Sequence, residues 1–139
     1  MDTKILGILG GGQLGRMLVE EANRMNIKSI ILDGENSPAK QISNGQHING
    51  SFKNKEDIKK LASQCDVLTI EIEHVDINTL EEVSKEYPNL QIHPSPETIG
   101  LIKDKYLQKV HLIKNGIKVA ESYPIEDNTV ECLSKTGEK

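Results

Sequence analysis

The feature that most restricts this chain is Gly10-Gly11-Gly12 followed by Gln13-Leu14-Gly15, set between an apolar run from Lys4 to Leu9 and a helix-like pattern. Gly10, Gly12 and Gly15 fit G-x-G-x-x-G in the context that gives the pattern meaning, a strand feeding directly into a helix. Small residues there let a phosphate approach the backbone, and the free N–H groups of the first helical turn present partial positive charge to it. The expectation is therefore phosphate binding. The alternative is that the glycines only make a tight turn and allow close packing of helix on strand. Under either reading the segment opens a βαβ unit, and hence a parallel sheet.

The same alternation continues. After the loop, Leu14, Met17, Leu18, Ala22 and Met25 recur at i, i+3, i+4 spacing and predict a helix. Ile27 to Leu32 reads as a buried strand ending at Asp33, and Ser37-Pro38 reads as the cap and first position of a short helix through Ile42. His47 to Phe52 is a weaker strand, broken by Gly50. Asn54 should cap a helix to Ser63, with Ile58, Leu61 and Ala62 facing the sheet. Val67 to Ile72 is the best strand pattern, β-branched and bounded by polar residues. A helix from Asp76 to Lys85 and a strand from Leu90 to Ile92 follow. His93-Pro94-Ser95-Pro96 marks a boundary, since two prolines remove donors and force extended backbone around them. This divides the chain into residues 1–97 and 98–139. The second part opens with one helix from about Thr98 to Asn115, stopped by Gly116. From Asp127 the tail is polar, and reads as a further helix-strand unit that begins without finishing.

Bulk properties exclude several classes. A net charge of -4 and a pI near 5.6 offer no basic stripe for nucleic acid. With 36% hydrophobic and 27% charged residues, 139 residues suit one soluble domain and the start of another. No apolar run is long enough to span a membrane, and the run at Lys4 ends in glycines rather than a cleavage site. Cys65 and Cys132 stand far apart with no Cys/His cluster, which reads as two reduced thiols in a cytoplasmic protein.

Two further groups carry chemistry. Asp33, about 20 positions beyond the loop, sits where a dinucleotide fold holds the adenosine ribose, so an NAD(P)-binding domain of an oxidoreductase is one reading. A strand-end residue that caps the next turn is the other. In Thr69-Ile70-Glu71-Ile72-Glu73-His74-Val75, strand alternation would set Glu71 and Glu73 on one face at the carboxyl end of the sheet. Two like charges so close call for a cationic or hydrogen-bonding answer, such as a substrate amine or ribose hydroxyls. Solvated carboxylates and a satisfied loop histidine are the plainer alternatives, and the spacing is not that of a metal site. Lys105, following Asp104, lies within the long helix after the proline boundary, where a solvated lysine is the ordinary outcome.

Taken together, GILGGGQLGRML, ILDGENSPAKQI, LTIEIEHV and SPETIGLIKDKYLQKVHLIKNGI resemble the fungal phosphoribosylaminoimidazole carboxylases. The front part of those proteins is similar to the bacterial N5-carboxyaminoimidazole ribonucleotide synthetases. The resemblance covers all but about the last dozen residues. It implies an α/β, Rossmann-like parallel sheet with helices on both faces, a pre-ATP-grasp domain that binds no NAD, leading into an ATP-grasp domain. It also implies a reaction in which ATP and bicarbonate form carboxyphosphate, and the exocyclic amine of 5-aminoimidazole ribonucleotide takes the carboxyl group. On this sequence Gly10, Gly11, Gly12, Gln13 and Leu14 would hold the ribonucleotide near its 5'-phosphate. Glu73 would approach its amine or ribose, and Lys105 would serve the ATP site. The second ATP lysine, the glycine-rich phosphate loop and the Mg2+ ligands would lie beyond Lys139. No catalytic residue is then expected within these residues, and by themselves they should not turn over. Family members often pair through other parts of the chain, so the intact protein would be open to homo-oligomers.

Overall fold

In the computed structural model, which describes residues 4–44 and 46–121, strands and helices alternate as the apolar periodicity predicts. Among the described residues the strands are β1 (Ile5–Leu9), β2 (Lys28–Asp33), β3 (His47–Asn49), β4 (Val67–Ile70) and β5 (Gln91–His93). They are connected through α1 (Gln13–Arg24), a 3-10 helix (Pro38–Ile42), α2 (Lys55–Ala62) and α3 (Ile77–Glu86), and α4 (Pro96–Lys103) and α5 (Lys105–Lys114) follow. Every pairing is parallel, in the order β3-β2-β1-β4-β5. That order reverses between β1 and β4. Their carboxyl ends are therefore the topological switch point, the place where open α/β sheets bind ligands. No described helix is long and apolar enough to cross a membrane.

The register sorts the core onto two faces. Ile8 lies opposite Ile31, and these two pack with Val19 of α1 and Ala39 of the 3-10 helix. Leu9 lies opposite Leu32 on the other face, where α2 packs on β1, β2 and α3. Ile58, Leu61, Leu80 and Val83 are wholly buried there. Each such side chain contributes roughly 1.5–3 kcal/mol of burial. Asn54 caps α2 as the sequence predicts, accepting from Asp57 N–H, while Asp76, expected as the first residue of its helix, stands just before α3 and caps it by accepting from Thr79 N–H.

Four expectations need correction. The face that α1 buries is Gly15, Val19 and Ala22, while Leu14 (60%), Met17 (53%) and Met25 (64%) stay exposed. The cause is a close approach: a Cβ on Gly15 would stand 2.3 Å from the Gly10 carbonyl oxygen. The small-residue face alone can come that near. Second, β4 stops at Ile70, so strand alternation does not govern Glu71 and Glu73. Third, Ser37 starts the 3-10 helix by its extended backbone, with no side-chain capping bond. Fourth, the single helix expected from 98 to 115 is two. Asp104 adopts φ -102°, ψ 109°, and its Oδ1 accepts the N–H groups of Tyr106 and Leu107, capping α5 afresh.

α5 ends as foreseen. Gly116 takes φ +76°, while its N–H reaches Ile113 O and that of Ile117 reaches Leu112 O. Chain contacts divide the molecule into two compact units, Met1–Gly100 and Leu101–Lys139, against an expected division after residue 97. The tail from Asp127 lies outside the described residues.

Candidate functional site

The site grows from the end of β1. Gly10 follows Leu9 at φ +100°, a conformation that favours glycine, and turns the chain toward α1. Gly10 N–H donates to Leu32 O at 3.1 Å, and Gly11 O accepts from Ala39 N–H at 3.0 Å, so the loop is laced to the end of β2 and to the 3-10 helix. Gly12 is the N-cap residue of α1 and offers no side chain to the first-turn amides. Gly10 and Gly11 are buried, Gly12 is half-buried, and Gln13 and Leu14 are exposed at the mouth.

Two carboxylates surround this loop. Asp33, at the last position of β2, accepts Gly11 N–H on Oδ2 and Gly34 N–H on Oδ1, both at 2.7 Å. The oxygens that would meet a dinucleotide ribose are thus already engaged by backbone, which realises the turn-capping alternative for Asp33. Glu71 comes from the other side. Its N–H donates to Leu9 O at 2.9 Å, which sets it one residue past β4 and beside the loop. Its carboxylate stands 3.5 Å from where a Gly12 Cβ would be and 2.6 Å from the equivalent point on Gly10. Burial, then the charges of Asp33 and Glu73, push the Glu71 carboxyl above the usual carboxylate range.

The remaining candidates are spread out. Glu73 and His74 occupy the turn after β4, Glu73 half-buried and His74 exposed. Lys105 opens α5 in the second compact unit and is exposed. Among the described residues no group of three or more His, Cys, Asp or Glu is set to hold a metal ion. Sequence reasoning paired Glu71 with Glu73 and selected Glu73. The signal that could have singled out Glu71 is register: Leu9 lies opposite Ile70, so residue 71 stands beside Gly10.

This arrangement changes the electrostatic reading of the loop. A phosphate seated on it would face Asp33 and Glu71, and unit charges of one sign about 4 Å apart repel by roughly 1–4 kcal/mol. The nearby cations are engaged elsewhere, Arg16 with Glu20 at 3.0 Å and Lys40 with Glu35. What suits the site is a group that donates to the Glu71 carboxyl and accepts from the first-turn amides of α1. A hydroxyl fits that description better than an anion.

The family model of the ribonucleotide synthetase preATP-grasp domain matches residues 3–103. The chain belongs to that family. This preATP-grasp chain is 64% identical over 138 residues to the phosphoribosylaminoimidazole carboxylase of Saccharomyces cerevisiae, covering 99% of its own length and 24% of the relative. It thus spans about a quarter of the curated relatives it matches. Among solved structures it resembles N5-carboxyaminoimidazole synthase from Aspergillus clavatus in complex with ADP and 5-aminoimidazole ribonucleotide. There the TM-score is 0.87 at 52% identity, over 99% of this chain and 36% of that one. The ATP complex of the A. clavatus enzyme gives a TM-score of 0.89, also at 52% identity, over 98% of this chain and 35% of that one.

Proposed function

We propose that this preATP-grasp chain holds 5-aminoimidazole ribonucleotide for an ATP- and bicarbonate-dependent carboxylation in purine biosynthesis. The observation that carries the reading is the loop at the β1/β4 switch point, its Gln13-Leu14 edge open and its rim acidic. A similar chain is solved with ADP and this ribonucleotide.

In the proposed reaction, bicarbonate attacks the γ-phosphorus of ATP to give carboxyphosphate and ADP. The ribonucleotide amine then attacks the carboxyl carbon, the bond to the phosphate oxygen breaks, inorganic phosphate leaves and the amine gives up a proton. Gly10 to Leu14 would bind the ribonucleotide. Because Asp33 and Glu71 crowd the loop, we assign it to the ribose and amine end rather than the 5'-phosphate, which replaces the expectation from the glycine pattern. Glu73 would meet the amine or ribose, and Lys105 would contribute to the ATP site. Mg2+ would accompany ATP; among the described residues no group of three or more His, Cys, Asp or Glu is set to hold it.

The test is a chimera in which these 139 residues replace the matching quarter of the S. cerevisiae relative. Phosphate release from ATP in bicarbonate should depend on 5-aminoimidazole ribonucleotide. Glu73→Gln should raise KM for the ribonucleotide more than for ATP, and Lys105→Ala should do the reverse. A folded chimera that binds ATP but shows no ribonucleotide dependence would refute the proposal.

A further inference from the structure

Asp33 is the one side chain among the described residues that hydrogen-bonds the glycine loop backbone, through Gly11 N–H. Its second oxygen is fixed by Gly34 N–H, so the carboxylate is clamped between the loop and the turn after β2. Both bonds are 2.7 Å, at the short end for N–H to an ionised oxygen, the strong class of hydrogen bond. The neighbouring backbone bonds hold Gly10 and the Gly11 carbonyl, which leaves the Gly11 N–H as the point that only a side chain secures. Close by, a Cβ on Gly11 would stand 2.7 Å from the buried Ser37 Oγ. The loop therefore has no room on that side to relax toward the 3-10 helix.

We propose that Asp33 is a positioning residue for the ribonucleotide: its carboxylate, bridging Gly11 N–H and Gly34 N–H, holds the glycine loop in the form that accepts the substrate. The inference rests on the function proposed above and adds a residue to it. Asp33 acts through the loop and touches no substrate atom. It also supplies part of the negative field that keeps Glu71 protonated to a higher pH than an ordinary carboxyl. Removing it frees the buried Gly11 amide, and the loop samples conformations in which Gly12, Gln13 and Leu14 no longer converge on one ligand. Affinity for the ribonucleotide falls, while the ATP contacts, which the loop does not make, are unaffected.

Two readouts decide it. In the 139-residue chain, amide exchange followed by NMR should show Gly11 N–H protected in the wild type and fast in Asp33→Ala, with Ile31 and Leu32 still protected. In the chimera, Asp33→Ala should raise the ribonucleotide KM by roughly tenfold or more, the scale of a lost hydrogen bond to a charged group, with the ATP KM unchanged. Asp33→Asn keeps one acceptor oxygen for Gly11 but turns its NH2 toward Gly34 N–H, and should recover only part of that loss. The proposal is overturned if Gly11 stays protected in Asp33→Ala, if the ribonucleotide KM does not move, or if both KM values rise together. A wild-type chimera without ribonucleotide dependence overturns the parent reading and the substrate role of Asp33 with it. The exchange data would then still decide whether the tether exists.

Discussion

Replacing Gly15 by alanine tests the contact on which the site is built. In an ordinary helix interior the change gains up to about 1 kcal/mol, because glycine carries a large entropic cost there. Gly15 differs. Its added Cβ would sit 2.3 Å from the Gly10 carbonyl oxygen and 3.1 Å from the Gly10 carbonyl carbon, at least about 1 Å short of ordinary contact at the nearer atom. The obstacle is backbone held by the Gly10 bond to Leu32, so it cannot swing aside as a side chain would. Overpacking of a well-filled interior costs about 1–3 kcal/mol, and an unyielding backbone puts this site at the upper end. Set against the helix gain, Gly15→Ala should lose about 2 kcal/mol net. For a unit of this size that lowers Tm by roughly 8–16 °C. The control is Gly100→Ala on α4, where a Cβ meets nothing nearer than Ile77 Cγ2 at 4.0 Å; it should be neutral or gain up to about 1 kcal/mol. Urea and thermal unfolding followed by circular dichroism give both values. If Gly15→Ala proves as stable as the wild type, α1 does not approach Gly10 this closely, and that contact does not set its buried face.

Glu71→Gln should stabilise the chain at neutral pH and lose that advantage in acid. The folded carboxyl titrates above its unfolded value, so native Glu71 is favoured below the unfolded value, and that benefit disappears as pH rises through the folded one. Since the group is only half-buried, the gain at pH 7 is on the order of half a kcal/mol after solvent screening, read as the difference between two denaturation curves at pH 7 and pH 4. An unchanged difference across that range would refute the assigned environment. Gly12→Val should leave the chain folded, because its Cβ would meet Glu71 Oε1 at 3.5 Å, an ordinary van der Waals contact. In the chimera it should raise the ribonucleotide KM by roughly tenfold or more, the cost of filling space the ligand needs. Normal ribonucleotide affinity in that variant would remove the loop from the site.

Much of the fold was legible in the residues. Each strand was predicted to within about two residues of its start, because buried parallel strands are short apolar runs set off by polar or glycine punctuation. Asn54, Asp76 and Gly116 were legible as helix ends, since capping is a local matter of a few backbone groups. The break at Asp104 was not. Leu101, Ile102, Leu107 and Ile113 are compatible with one amphipathic helix, and the restart depends on Asp104 leaving helical geometry to accept two amides. Similarly, the larger residues of α1 are the more apolar, yet the helix buries its smaller ones.

The sequence by itself determined that this is a parallel α/β chain with a glycine loop between strand and helix, and the combination of four segments determined its family. Those properties follow from local periodicity and from residue types at fixed spacing. The tertiary structure alone decided that Asp33 and Glu71, 38 positions apart, both reach the loop. It thereby decided that two carboxylates flank the loop, a setting the glycine pattern does not announce. Charge at a site depends on which strand ends lie side by side, and that is fixed by the order of β2, β1 and β4 in the sheet.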